Sequence, residues 1–164
     1  MKFLFASLTG LMLSVSAFAQ DSNMSDARIA DAYLRAYATV DAEAMGEYLA
    51  EDAIFSDRGS FGGPNEPYHY VGRDAITAAI TMFHENWGLY SIDYDNPNMQ
   101  HEAGGQSIYV VNAEARWRMA DGQDRVWRGD IVTTVRVMGG EVTEHLDMPD
   151  YAGGVMSIEA PRAD

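Results

Sequence analysis

The chain has 164 residues, 11 Lys and Arg against 25 Asp and Glu, a formal net charge of −14, and no cysteine. That length supplies one domain with a real core. Without cysteine, disulfides and thiol chemistry are excluded, and the acidic balance disfavours nucleic acid and anionic membrane surfaces as partners. The plainest consequence of the charge is solubility.

Residues 1–19 read as a secretory signal peptide. Lys2 gives a positive start, Phe3 to Val15 is mostly apolar, and Ala17-Phe18-Ala19 is a small-x-small cleavage site before Gln20. The apolar run is too short for a comfortable membrane span. No cysteine follows to carry a lipid, so the expected location is periplasmic or secreted, with no membrane contact after cleavage. Lys2 is the only lysine; residues 20–164 would carry ten arginines against 25 acids, a balance of −15.

After a polar lead-in, Ser25 or Asp26 can cap a first helix over 27–40. Its apolar stripe is Ile29, Ala32, Tyr33, Ala36, Tyr37 and Val40, at spacings of three and four. Asp41 reads as a second N-cap, opening a short helix with Met45, Tyr48 and Leu49 inward. Ala53 to Ser56 is a short strand, rich in β-favouring Ile54 and Phe55. Residues 59–71 read as a loop, with Gly59, Gly62, Gly63, Pro64 and Pro67 as breakers. The loop also carries Phe61, Tyr68, His69 and Tyr70, an aromatic set suited to folding over something apolar. Asp74 lies in the first turn of a third helix with stripe Ile76, Ala79, Ile80 and Phe83, and Gly88 ends it.

Strands follow. Leu89 to Tyr94 is one, broken by Asn96-Pro97-Asn98. From Ser107 to Met119, Tyr109, Val111, Ala113, Ala115, Trp117 and Met119 form one face, and Asn112, Glu114, Arg116 and Arg118 the other. Asp121-Gly122 turns the chain. The next strand places Trp127, Ile131, Thr133, Val135 and Val137 opposite Arg128, Asp130, Thr134 and Arg136. Asp130 is expected to pair across strands with Arg116 or Arg118. After Gly139-Gly140, Val142 to Met148 puts Thr143, His145 and Asp147 on one face, and Pro149 stops it. Residues 24–150 read as the domain and 151–164 as a tail. Helices first and tightly turned strands later make an α+β layout.

This order, with particular residues, resembles the SnoaL-like and ketosteroid-isomerase-like proteins of the nuclear transport factor 2-like superfamily. The residues carrying the resemblance are Tyr33, Ala50-Glu51-Asp52-Ala53-Ile54-Phe55-Ser56-Asp57, Gly72-Arg73-Asp74-Ala75-Ile76, and Gly140-Glu141-Val142-Thr143-Glu144-His145-Leu146-Asp147. The last resembles the family ending G-K-I-x-E-H-W-D, with Glu141 for Lys and Leu146 for Trp. The resemblance spans about Asp26 to Asp150. It implies a cone-like curved antiparallel sheet wrapped around three N-terminal helices and enclosing a largely apolar pocket. A homodimer through the outer sheet face is also implied; here that face is rich in Arg and acids. The fold hosts isomerases, cyclases, dehydratases, hydrolases and proteins with no chemistry.

In ketosteroid isomerase an Asp base faces an oxyanion hole of Tyr and protonated Asp. The resemblance places Asp57 at the base and Tyr33 at the oxyanion-hole tyrosine; the protonated Asp falls on Thr133, a weaker donor. Read from the residues alone, Asp57 is equally a solvated strand-end carboxylate, and Tyr33 a core aromatic with a satisfied hydroxyl. His145 and Asp147 form a candidate acid/base pair if their face looks into the pocket, and a polar edge in water if it looks out. Tyr37, Phe55, His69, Trp117, Trp127 and Thr133 complete the candidate ligand-binding set. The epoxide-hydrolase branch is disfavoured: Asp147 could match its later Asp, but Glu114-x-Arg116 stands where its Arg-x-Asp pair belongs. The scattered histidines 69, 84, 101 and 145 suggest no metal, and no nucleotide fingerprint points to a cofactor. The expectation is cofactor-free acid/base chemistry on a small, mostly apolar molecule, or a non-catalytic binding or dimerising domain of the same fold.

Overall fold

The computed structural model describes residues 24–58, 68–95 and 99–162. Residues 1–23, including the stretch read as a signal peptide, the 59–67 part of the loop with Phe61, and the Asn96-Pro97-Asn98 break lie outside the described residues.

Helix α1, Asp26–Ala38, buries Ile29, Ala30, Tyr33, Leu34 and Tyr37. Ser25 occupies the N-cap position without a side-chain cap bond, so the favourable charge at this end is Asp26 in the first turn. Val40 then takes φ 56°, a conformation a β-branched residue rarely adopts. Its side chain is buried there. Asp41 caps helix α2, Ala42–Gly46, by accepting from the Ala44 N–H at 3.0 Å. Helix α3, Arg73–Trp87, buries Ile76, Ala79, Ile80 and Phe83 and ends on Gly88 at φ 72°. A Cβ at Gly88 would stand 2.3 Å from the Arg118 carbonyl oxygen, so the left-handed cap and the close approach both require glycine.

The strands are β1 (Leu49–Asp57), β2 (Tyr68–Val71), β3 (Leu89–Asp95), β4 (Met99–Ala103), β5 (Gln106–Arg118), β6 (Asp124–Met138), β7 (Glu141–Pro149) and β8 (Val155–Glu159). They form one eight-stranded sheet in the order β2-β1-β7-β6-β5-β3, with β4 also on β5 and β8 also on β6. This is the expected α+β arrangement of three helices and a curved, unclosed sheet. It is mixed, because β1 and β7 run parallel. Each long central strand is flanked by a broken pair: β3 and β4 share one edge of β5, and β7 and β8 share one edge of β6.

Two stretches differ from the sequence expectation. Residues 68–71, read as loop, form an edge strand on β1. Residues 155–159, read as tail, form β8. Both are short strands that alternate weakly or not at all in hydrophobicity, since they cover an edge rather than fill the core.

The inner faces of the long strands are the ones their alternation predicts, while on the outer face Arg116 and Thr134 are buried as well. Tyr109, Val111, Ala113, Trp127, Ile131, Thr133 and Val135 are buried. On the outer face, Arg116 and Arg128 bridge Glu114 and Glu159, Arg118 binds Asp124, and Arg162 reaches Glu114 and Asp93. Asp130 takes no part in this network. The register sets it opposite Asn112, whose Nδ2 donates to it at 3.2 Å; Arg116 and Arg118, which it was expected to meet, lie opposite Val126 and Asp124, too far along the strands to reach it. The outer face also has an apolar portion at Val110 and Met148.

Candidate functional site

The parallel pairing of β1 with β7 decides what the floor of the cavity is made of. Its register sets Phe55 beside His145 and Asp57 beside Asp147. On the other side of β1, Tyr70 and Tyr68 lie opposite Phe55 and Asp57. On the other side of β7, Val135 and Thr133 lie opposite His145 and Asp147. Directly opposed residues share a face. One row across the sheet is therefore Tyr68, Asp57, Asp147, Thr133, and the row behind it is Tyr70, Phe55, His145, Val135.

Helix α1 lies over these rows. Tyr33 and Tyr37 are one turn apart, a rise of about 6 Å, which matches the ~6.6 Å between residues two apart on a strand. The two phenols accordingly meet two successive inward residues of β7. Tyr33 Oη lies 2.8 Å from His145 Nδ1, and Tyr37 Oη donates to Asp147 Oδ2 at 3.0 Å. His145 Nε2 lies 3.0 Å from Asp147 Oδ1, and Thr133 Oγ1 donates to the same oxygen at 2.6 Å. His145 is fully buried and Asp147 is 2% exposed. One assignment satisfies every group: the Tyr33 hydroxyl donates to Nδ1, and a neutral imidazole donates its Nε2–H to Asp147.

Asp147 therefore accepts three hydrogen bonds, from the Tyr37 and Thr133 hydroxyls and from the His145 ring. Burial works to raise its carboxyl; the His145 imidazole and the hydrogen bonds from His145, Thr133 and Tyr37 outweigh it and hold the group below the ordinary carboxylate range. Burial, and then the Asp147 charge, push the hydroxyls of Tyr33 and Tyr37 well above the ordinary phenol value.

The cavity above this floor has a volume of about 790 Å³. Asp57, Asp147, Tyr37, Phe55, Trp117 and Trp127 line it, so six of the predicted residues come together. The others do not reach it. Tyr33, His145 and Thr133 stand behind Asp147 and act on the cavity only through it. Tyr33 is the core aromatic with a satisfied hydroxyl, rather than a group presented to a ligand. His69 is on the opposite face of β2, exposed, with Nδ1 2.7 Å from Ser56 Oγ. The alternation of β2 sends Tyr68 inward and His69 outward, which corrects its expected place over the pocket.

Tyr68, one of the aromatics expected to fold over something apolar, lines the cavity from β2, and two further lining tyrosines, Tyr94 and Tyr151, fall outside the candidate set. Tyr151 was assigned to the tail, yet its hydroxyl donates to Asp57 Oδ2 at 3.0 Å, and its ring packs edge-on against Trp127 with centroids 5.3 Å apart. The break between β7 and β8 turns Tyr151 inward. Gly154 in that break lies so close to the indole that a Cβ there would be 2.2 Å from Trp127 Nε1. Burial, and then the Asp57 carboxylate, raise the Tyr151 hydroxyl. Tyr94, on β3, could have been found by parity with Ile92, an inward residue two positions earlier. Its hydroxyl is buried near Thr133 and makes no hydrogen bond of good geometry with a described residue. Burial, and then the charge of Asp147, hold it well above the ordinary phenol value, so it remains a proton donor at any working pH.

Exposed Glu85, Trp87 and Arg125 edge the opening. Among the described residues, no group of three or more His, Asp and Glu is placed to hold a metal ion.

Solved structures share this fold. A candidate SnoaL-like polyketide cyclase of Shewanella putrefaciens is 24% identical, covers 92% of this chain and 94% of its own, and superposes with a TM-score of 0.60. One from Shewanella denitrificans is 23% identical over 77% of this chain and 91% of its own, with a TM-score of 0.58. A hypothetical protein of ketosteroid isomerase-like fold from Catenulispora acidiphila, in complex with trimethylamine, is 18% identical over 73% and 83%, with a TM-score of 0.54. At these identities the likeness establishes the fold. No curated protein matches the chain. The SnoaL-like domain model matches residues 30–145, which runs from α1 to the buried histidine of β7. The chain belongs to the SnoaL-like domain family.

Proposed function

We propose that the cavity binds a small, mostly apolar molecule and that Asp57 acts on it as a general base without a cofactor, in isomerase, cyclase or dehydratase fashion. The observation that carries this reading is the pairing of Asp57 with Asp147 at the polar floor of an otherwise aromatic and aliphatic cavity. Paired carboxylates at the floor of an apolar cleft, one of them perturbed by its partners, are a usual mark of acid/base chemistry. The roles divide by environment. Asp147, saturated by three donors, is a poor base and a fixed anion. Asp57 takes the proton from the carbon next to a carbonyl and returns it at another position. Tyr94 replaces Tyr33 as the donor to the developing oxyanion, because the Tyr33 hydroxyl is committed to His145. His145 and Tyr33 are positioning residues for Asp147.

The test is solvent deuterium exchange followed by NMR, with a panel of enolisable neutral and cationic ketones and lactones in heavy water. Exchange with the wild type that vanishes in Asp57→Asn supports the base. Exchange that survives the substitution overturns it. The donor saturation of Asp147 favours a second reading, a binding module without turnover. Ligand retained equally by wild type and Asp57→Asn, with exchange in neither, identifies that case. Export is part of the same proposal, supported by the pattern of residues 1–19. A mature N-terminus at Gln20 on protein from the periplasm or medium is the expected result, and an uncleaved Met1 in the cytoplasm refutes it.

A further inference from the structure

Asp147 is a buried carboxylate whose partners are the Tyr37 and Thr133 hydroxyls and the His145 ring, and among the described residues no Arg or Lys pairs with it. A buried charge without a countercharge is costly. The chain has ten arginines and directs six of them to acids elsewhere: Arg73, Arg116, Arg118, Arg128, Arg136 and Arg162. Two guanidinium groups border the cavity, those of Arg118 and Arg125, but Arg118 is turned to Asp124 and neither hydrogen-bonds Asp147. A second observation is independent of the carboxylates. The walls are aromatic: Tyr37, Tyr68, Phe83, Tyr94, Trp117 and Trp127 all border the cavity. The faces of such rings attract cations, most strongly where water is excluded.

From these two observations we infer that the ligand is an organic cation, a small alkyl- or arylammonium compound whose positive nitrogen lies among the aromatic walls against Asp147. The inference rests on the reading of this cavity as a small-molecule site and names the class of molecule. It also removes a difficulty in the proposed chemistry. A neutral ketone would develop enolate charge against a fixed anion, whereas a substrate with an ammonium group carries its own counterion to Asp147. The Tyr94 hydroxyl is placed for an ester or ketone oxygen on the same molecule. The −14 net charge of the chain acts in the same direction, since its field concentrates cations and repels anions.

The experiment compares acetylcholine with 3,3-dimethylbutyl acetate, its uncharged isostere, by isothermal titration and NMR line shifts of the Trp indoles at 0.15 M salt. Wild type is expected to bind the cation at least tenfold more tightly than the isostere. Asp147→Asn is expected to reduce that preference below threefold while isostere affinity stays unchanged. Tyr68→Leu, at a half-exposed wall position, weakens the cation and spares the fold if Asp147→Asn does not fold. Asp52→Asn, an exposed change outside the cavity, controls for net charge and keeps the preference. Equal binding of the pair, or tighter binding of the isostere, overturns the cation and leaves the small-molecule site standing. Failure of both probes to shift any indole overturns both readings.

Discussion

Tyr33 and Tyr94 both approach the polar floor, yet their removal should have opposite consequences for stability. In Tyr33→Phe the ring remains, and the fully buried His145 loses the donor at its Nδ1. A buried acceptor left without its partner costs about 1–3 kcal/mol. For a domain of this size the urea slope is about 2 kcal/mol/M, so the unfolding midpoint should fall by about 0.5–1.5 M with the slope unchanged. In Tyr94→Phe the lost hydroxyl has no well-formed hydrogen bond and is itself buried. Its removal relieves a desolvated group, so the midpoint should stay within about 0.3 M of wild type or rise. Equilibrium urea unfolding of the two variants, followed by far-ultraviolet circular dichroism and by Trp fluorescence, measures both. A large loss for Tyr94→Phe with none for Tyr33→Phe would refute the assignment of Tyr33 to the core and of Tyr94 to the ligand.

The other expectations concern the sheet and its edges. Asp124 is held at about 2, since burial is outweighed by hydrogen bonds from Tyr90, Arg118 and the Arg162 N–H. A depressed carboxylate stabilises the fold fully above its unfolded value near pH 4 and loses that contribution as pH falls towards the folded value. Asp124→Asn should therefore flatten the acid limb of a pH–stability curve between about pH 4 and 2, and an unchanged limb refutes the network. Gly88→Ala should lower stability by more than the ~1 kcal/mol of a simple αL penalty, because its Cβ would also meet the Arg118 carbonyl; a thermal melt within a degree of wild type would contradict the close approach. Deleting residues 151–164 strips β8 from β6 and Tyr151 from Asp57, so the truncated chain should melt lower and show faster amide exchange over residues 124–128. A melt and exchange pattern equal to the full chain would return the segment to the status of a tail.

What the sequence makes legible and what it conceals divide along one physical line. Strong alternation, as in Tyr109 to Trp117 or Trp127 to Val137, reports burial directly, so both long strands and their inner faces are readable. The stripe of α1 is readable in part: Ile29, Tyr33, Tyr37 and Val40 are buried as its spacing implies, while Ala30 and Leu34 take the buried places expected of Ala32 and Ala36. Alternation also pairs His145 with Asp147 but cannot tell a face that looks into a core from one that looks into water, because both residues are polar. The structure makes them interior through partners more than a hundred positions away, Tyr33 and Tyr37. The hint was a match of periods, four residues of helix against two of strand, which no local window contains. Asp57 depends on something less visible still. Its place beside Asp147 follows from the parallel register of β1 and β7, and a slip of one residue would turn Ser56 inward and Asp57 out. Tyr68 and Tyr151 sit on or beside edge segments whose exposed residues erase the periodic signal. The floor of the cavity is thus written in strand pairings rather than in any one stretch, while the residues most legible in the sequence are the ones that hold it from behind.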